Sequence, residues 1–207
     1  MKTTLTTLLL SALVLVGCMD NLSDLTSPDV QITPQSNSPN WLILPDDLTN
    51  YLDSTTQFSS SKLIRGNVGG NIILNVSIPR PGHPLGDFQI YAKIRVEKNS
   101  FPADEHRMFT ITVDSDYLVF DITPSANTLI KPIKVTARVE GIDVSDINPE
   151  TFSFISIGDN GEILETTNEQ LIVDYDENMV MVLNAWIDPL AIVNILPDSR
   201  YGWIRYR

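Results

Sequence analysis

Phe88-Gln89-Ile90-Tyr91-Ala92-Lys93-Ile94-Arg95-Val96 decides the fold class. Phe88, Ile90, Ala92, Ile94 and Val96 point one way and Gln89, Tyr91, Lys93 and Arg95 the other. That is the period of a strand with one face in a core and one in water.

The same alternation recurs on both sides of this stretch. Upstream, Ile72, Leu74, Val76 and Ile78 share one face, opposite Asn71, Ile73, Asn75 and Ser77. Downstream, Phe109, Ile111 and Val113 alternate with Thr110 and Thr112, and Leu118, Phe120 and Ile122 follow across Asp114-Ser115-Asp116, a short hairpin turn. Ile133, Val135, Ala137 and Val139 then alternate with Lys134, Thr136, Arg138 and Glu140. Further strands are expected at Phe152–Ile157, Ile163–Glu165, Leu171–Tyr175, Met179–Trp186 and Tyr201–Arg205, with Asn160-Gly161 as a hairpin turn. Met179–Leu183 is apolar on both parities, as a central strand would be. Antiparallel strands with one polar face make sheets that pack in pairs, so the expected fold is all-β, an antiparallel β-sandwich over residues 61–207.

Before the sandwich, Trp41-Leu42-Ile43-Leu44 opens the ordered part. Pro45-Asp46-Asp47 with Leu48, Tyr51 and Leu52 reads as one short helix with an acidic first turn. A Ser-rich stretch, Ser54–Ser61, leads to the strands, and residues 41–60 are read as a short linker and helical segment. Residues 19–40 are rich in Ser, Asn, Asp, Thr and Pro without periodicity, the composition of a disordered tether. Its 22 residues span at most about 75 Å extended, or roughly 25 Å as a coil.

The first seventeen residues read as a cleaved export signal. Lys2 supplies a positive start, and Leu5 to Val16 form an apolar run too short to cross a bilayer. It ends in Leu15-Val16-Gly17-Cys18, and Cys18 is the only cysteine in the chain. This segment resembles the lipobox of bacterial lipoproteins. The resemblance implies a diacylglycerol thioether on Cys18, cleavage before it, and acylation of the new amino terminus with a chain such as palmitate. More than one acyl chain is what stable anchoring requires. The domain order expected is therefore signal peptide 1–17, lipidated Cys18 and tether 18–40, linker 41–60 and sandwich 61–207.

Cleavage removes Lys2 and leaves 13 Lys+Arg against 26 Asp+Glu, a net charge of about −13 with His neutral. So acidic a body argues against nucleic acid as partner and against anionic headgroups. With Cys18 lipidated no thiol remains for a disulfide, so stability must come from the core. A domain of this size buries roughly 70% of its extended-chain surface.

Short punctuation motifs suggest a kinship. Ile64-Arg65-Gly66 leads to the pair Gly69-Gly70 before a strand, and Phe120-Asp121-Ile122-Thr123-Pro124-Ser125 and Ile130-Lys131-Pro132-Ile133-Lys134-Val135 follow. Over roughly residues 60–207 this pattern resembles the ZU-five-type β domain of ankyrins, netrin receptors and tight-junction scaffolds. In relatives of that domain a His-Phe-Ser segment cleaves itself, with Ser attacking the preceding carbonyl. The corresponding place here is Leu196-Pro197-Asp198-Ser199-Arg200-Tyr201, where Pro197 and Asp198 replace His and Phe. Ser199 then has no local base, so no self-cleavage is expected.

No segment carries an enzyme's signature spacing. His83, in the rigid loop Pro79-Arg80-Pro81-Gly82-His83-Pro84, and His106, after Asp104-Glu105, lack metal-site spacing and read as exposed loop residues. Asp159-Asn160-Gly161-Glu162 and Asp174-Tyr175-Asp176-Glu177-Asn178 fit polar turns better than a calcium loop. Neither metal nor cofactor is expected. The C-terminal Arg200-Tyr201-Gly202-Trp203-Ile204-Arg205-Tyr206-Arg207 concentrates Arg and aromatics, and Trp203, Arg205 and Arg207 are candidate ligand contacts. The competing reading is a closing strand with Tyr201, Trp203 and Arg205 on one face.

The function expected is a lipid-anchored cell-envelope protein presenting a non-catalytic β-sandwich as a binding or structural module. Its partners would be the membrane, through the lipid, and an envelope protein or glycan. Two alternatives stand beside it: a glycan-binding lipoprotein using the C-terminal aromatic and Arg residues, and a carboxylate-dependent hydrolase. Inner membrane, outer membrane with its periplasmic face, and cell surface are all compatible locations.

Overall fold

The computed structural model describes residues 39–52, 58–114, 116–124, 129–157, 163–187 and 199–205. Among the described residues there are eleven strands: β1 (Ser59–Arg65), β2 (Gly70–Ile78), β3 (Phe88–Val96), β4 (His106–Val113), β5 (Val119–Thr123), β6 (Ile133–Glu140), β7 (Phe152–Ile157), β8 (Ile163–Glu165), β9 (Gln170–Asp174), β10 (Met179–Ile187) and β11 (Ser199–Arg205). They form two antiparallel sheets, one of six strands in the order β1-β4-β5-β11-β7-β8 and one of five in the order β2-β3-β6-β10-β9. The expected all-β sandwich is the architecture found.

The alternation read from the sequence is the alternation of burial. Phe88, Ile90, Ala92, Ile94 and Val96 of β3 lie in one core with Ile133, Val135, Ala137 and Val139 of β6. From the facing sheet, Phe109 and Ile111, Phe120 and Ile122, and Tyr201 and Trp203 close on them. β10 is an interior strand, between β6 and β9. It keeps its core face by a bulge: Val182 faces Ala137 and Ala185 faces Val135, leaving two residues opposite one. Asn184 takes φ +46° there, so Ala185 and Ile187 rejoin Val180 and Val182 in the core while Trp186 turns outward.

Of the segment 41–60, read as a short linker and helical segment, the described residues 41–52 and 58–60 pack with the sheets. Leu42, Leu44, Leu48 and Phe58 lie in the core. Leu42 N–H donates to Trp203 O at 2.9 Å and Leu118 N–H donates to Leu42 O at 2.8 Å, so this entry segment is stitched between the last strand and the start of β5. β1 begins at Ser59, inside the Ser-rich stretch, and Ser60 and Lys62 lie on it. Their side chains bridge the sheets, with Ser60 Oγ on Ile73 O at 2.8 Å and Lys62 Nζ on Asn71 O at 2.9 Å.

A second apolar cluster, Trp41, Val119, Ile155 and Ile204, lies on the outer face of the six-stranded sheet at β5, β7 and β11. Trp41 pairs with Ile204 as an isolated bridge and lies over Gly202. A Cβ on Gly202 would stand 2.9 Å from the Trp41 ring, which is why the strand carries glycine there.

Candidate functional site

A cleft of about 300 Å³ opens where the entry segment, the β2–β3 loop, the turn after β6 and the end of β11 meet. Trp41, Ile43, Leu85 and Ile142 give it apolar walls, and Asp47, His83, Asp143 and Arg205 give it polar groups.

The β2–β3 loop is wound around its own arginine. Arg80 lies at the end of β2 with a fully buried side chain. Its Nε donates to Gly86 O at 2.9 Å, one terminal nitrogen donates to Gly141 O at 2.6 Å, and the other reaches Asp47 Oδ2 at 3.3 Å. Its backbone N–H donates to Asp87 Oδ1 at 2.9 Å. A buried guanidinium is tolerable only when its donors are satisfied, and here three elements supply acceptors. Gly141 must be glycine: its φ is +75°, and a Cβ would come 2.4 Å from Asp87 O and 2.7 Å from the guanidinium.

Asp47 sits in the 3-10 helix Asp46–Asn50, which follows Pro45 as the sequence suggested. Its Oδ2 also faces His83 Nε2 at 3.2 Å. The other ring nitrogen of His83, Nδ1, accepts from Leu85 N–H at 3.2 Å. That bond assigns the proton of the neutral ring to Nε2, facing the carboxylate. One nitrogen is therefore engaged within the loop and the other by the entry segment, and the imidazole is held as a strut between them. His83 is half-buried rather than the exposed residue expected, whereas His106, at the start of β4, is exposed.

On the far wall, Asp143 Oδ1 accepts from Ser145 N–H at 2.9 Å. Hydrogen bonds from the Ser145 side chain and backbone, aided by the Arg205 charge, hold the Asp143 carboxyl below its ordinary value. Arg205 pairs with Asp146 through a terminal nitrogen. Its Nε is buried with no hydrogen-bond partner among the described residues.

The remaining sequence candidates are distributed as follows. Trp203 is a core residue, wholly buried and packed edge-on against Phe120 and Phe154 at ring-centroid distances of 5.6 and 5.2 Å. It has no ring face for a ligand, which corrects its reading as a contact; the closing-strand reading is the one the fold adopts. Arg200 is held by Asp121, with Nε to Oδ1 at 3.0 Å, and by Asp114 at 3.3 Å. The hydrogen bond to Asp121 raises its pKa further above the usual arginine value. Asp174–Asn178 forms the β9–β10 turn, with Asp174 Oδ1 accepting from the backbone of Asp176 and Glu177. Ser199 pairs with Ile122 at the start of β11. Cys18, Asp159–Glu162, Pro197, Asp198 and Arg207 lie outside the described residues.

Sequence reasoning did not find Arg80 and Asp47. The available signal was an arginine enclosed by Pro79 and Pro81, with an aspartate, Asp87, at the other end of the same loop.

No family model, no curated protein and no solved structure matches this chain.

Proposed function

We propose that this protein is a bacterial envelope lipoprotein, held in the membrane by lipid on Cys18, whose β-sandwich works by binding or by supporting an assembly. The carrying observation is the position of the chain's lone cysteine, directly behind a short apolar run and Gly17, and 23 residues ahead of Trp41 where the packed body begins. Such spacing lets an anchored chain carry its domain clear of the bilayer.

Binding rather than chemistry is supported by the cleft. Its histidine has both nitrogens committed to Asp47 and Leu85, so it offers no free base to a substrate. The hydrolase alternative would draw on Asp47 and Asp143, but Asp47 is engaged by Arg80 and His83 and Asp143 by Ser145, and the C-terminal glycan alternative has lost Trp203 to the core. A ZU-five-like ancestry is part of the same proposal. It rests on the sequence pattern alone, in which Gly69, Pro124 and Pro132 stand next to strands.

Intact mass of the protein extracted from membranes tests the anchor. The expected species lacks residues 1–17 and carries diacylglycerol and an amide-linked acyl chain, and Cys18→Ser abolishes all three changes. A membrane-extracted chain that keeps Met1 and a free thiol would overturn the reading.

A further inference from the structure

The outer face of the five-stranded sheet reverses the charge of the molecule. The whole chain carries −12, yet Lys93 and Arg95 of β3 and Lys134 and Arg138 of β6 project from this one face, opposite the buried residues of the same strands. Register places them together: Arg95 faces Lys134, and Lys93 faces Thr136, with Tyr91 facing Arg138. Neighbouring strands are about 4.8 Å apart and same-face residues about 7 Å apart along a strand, so these cations form a compact grid.

Little on the molecule neutralises that grid. Arg138 pairs with Glu140 at 3.0 Å. Glu169, at the β9 rim, is taken by the Asn184 amide at 2.7 Å. Lys93 and Arg95 have no ion-pair partner among the described residues. Like charges facing each other across strands are destabilising, so Arg95 opposite Lys134 is a cost the fold carries.

The grid also has aromatic members. The β10 bulge turns Trp186 outward beside Lys134, whose Nζ lies 4.9 Å from the ring centroid. Tyr91 stands half-buried on the same face. Around them are the short amide and hydroxyl side chains of Asn71, Asn75 and Thr136, with the exposed Ile73 opposite Lys93.

We propose that this sheet face binds an anionic polysaccharide, with Lys93, Arg95 and Lys134 taking its carboxylate or phosphate groups and Trp186 and Tyr91 lying against its sugar rings. Charge complementarity selects a polyanion. The flat platform of aromatics and amides selects one made of hydroxyl-bearing rings. The −12 body opposes close approach to nucleic acid or to a continuous anionic bilayer, both of which present charge well beyond the patch. The inference rests on the binding-module reading above and gives it a ligand class.

The test uses the full chain in mild detergent, migrating through native gels containing polygalacturonate or neutral dextran. Expected is retardation by polygalacturonate alone, weakening with added salt. A Lys93→Glu/Arg95→Glu variant should weaken binding at least tenfold, and Arg65→Glu, which changes charge on the other sheet, should leave it within twofold. Lys93→Gln/Arg95→Gln serves if the reversed pair fails to fold. No retardation of the wild type, equal loss in Arg65→Glu, or patch-dependent binding to duplex DNA or phosphatidylglycerol vesicles in place of polygalacturonate would each overturn the proposal. An unlipidated Cys18 would refute the anchor and leave this assay intact, so the two failures are separable.

Discussion

Arg80 donates to Asp47 across 33 residues of sequence, and that 3.3 Å contact joins the entry segment to the β2–β3 loop. Its geometry makes the arginine a keystone: the same group holds Gly86 O and Gly141 O. Arg80→Ala strands these carbonyls and one carboxylate, so a loss of about 3–5 kcal/mol is expected in urea unfolding. Arg80→Lys should recover only a small part, because an ammonium cannot hold three acceptors in the planar directions of a guanidinium. Asp47→Asn keeps the two carbonyl bonds but leaves the wholly buried guanidinium without its counter-charge, so a loss of about 3 kcal/mol is expected.

Gly141→Ala should be among the most damaging single-methyl additions. It combines a positive φ with a clash on the Asp87 carbonyl and on Arg80. A loss of about 2 kcal/mol or more is expected in the same unfolding assay, from backbone strain alone before repacking is counted.

Trp203→Ala and Trp186→Ala should separate core from surface. The first empties the space between Phe120 and Phe154 and should cost about 3–5 kcal/mol. The second removes a half-buried ring from the outer face and should cost about 1 kcal/mol. Polygalacturonate retention should fall for Trp186→Ala, and for folded Trp203→Phe it should be unchanged.

Asp143 gives the pH dependence. Its carboxyl is depressed in the folded state by Ser145 first and Arg205 last, so it titrates below its unfolded counterpart. The sign follows: its stabilising contribution is complete above the unfolded value and is lost as pH falls through the folded one. Carboxyl NMR titration should place Asp143 below ordinary aspartates, and Ser145→Ala should move it upward.

Strands with strict alternation were legible because burial on one side alone writes period two into the chain. β3 and β6 are read residue for residue, and β7 and β8 have the expected limits. β1 was not legible: Ser59, Ser60 and Ser61 have the composition of a loop, and their strand conformation comes from pairing with Thr112, Ile111 and Thr110. Trp41–Leu44 and the turn after Pro45 were legible as ordered chain, but that Leu48 and Phe58 reach the core was not, because each stands alone among polar residues. At the C-terminus, composition suggested a surface where alternation said strand, and alternation was the better guide. The cleft was the least legible part, because Asp47, Arg80 and Gly141 meet only after the sheets have formed.

Ser60 and Lys62 have a consequence beyond the fold. β2 ends its sheet, and its outward carbonyls at Asn71 and Ile73 would otherwise invite a strand from another molecule. The two side chains already occupy them. Under the proposed anchoring, copies share a membrane plane at high local concentration, where edge-to-edge pairing is the standing route to insoluble chains. This domain meets that crowding with one of its margins sealed from within.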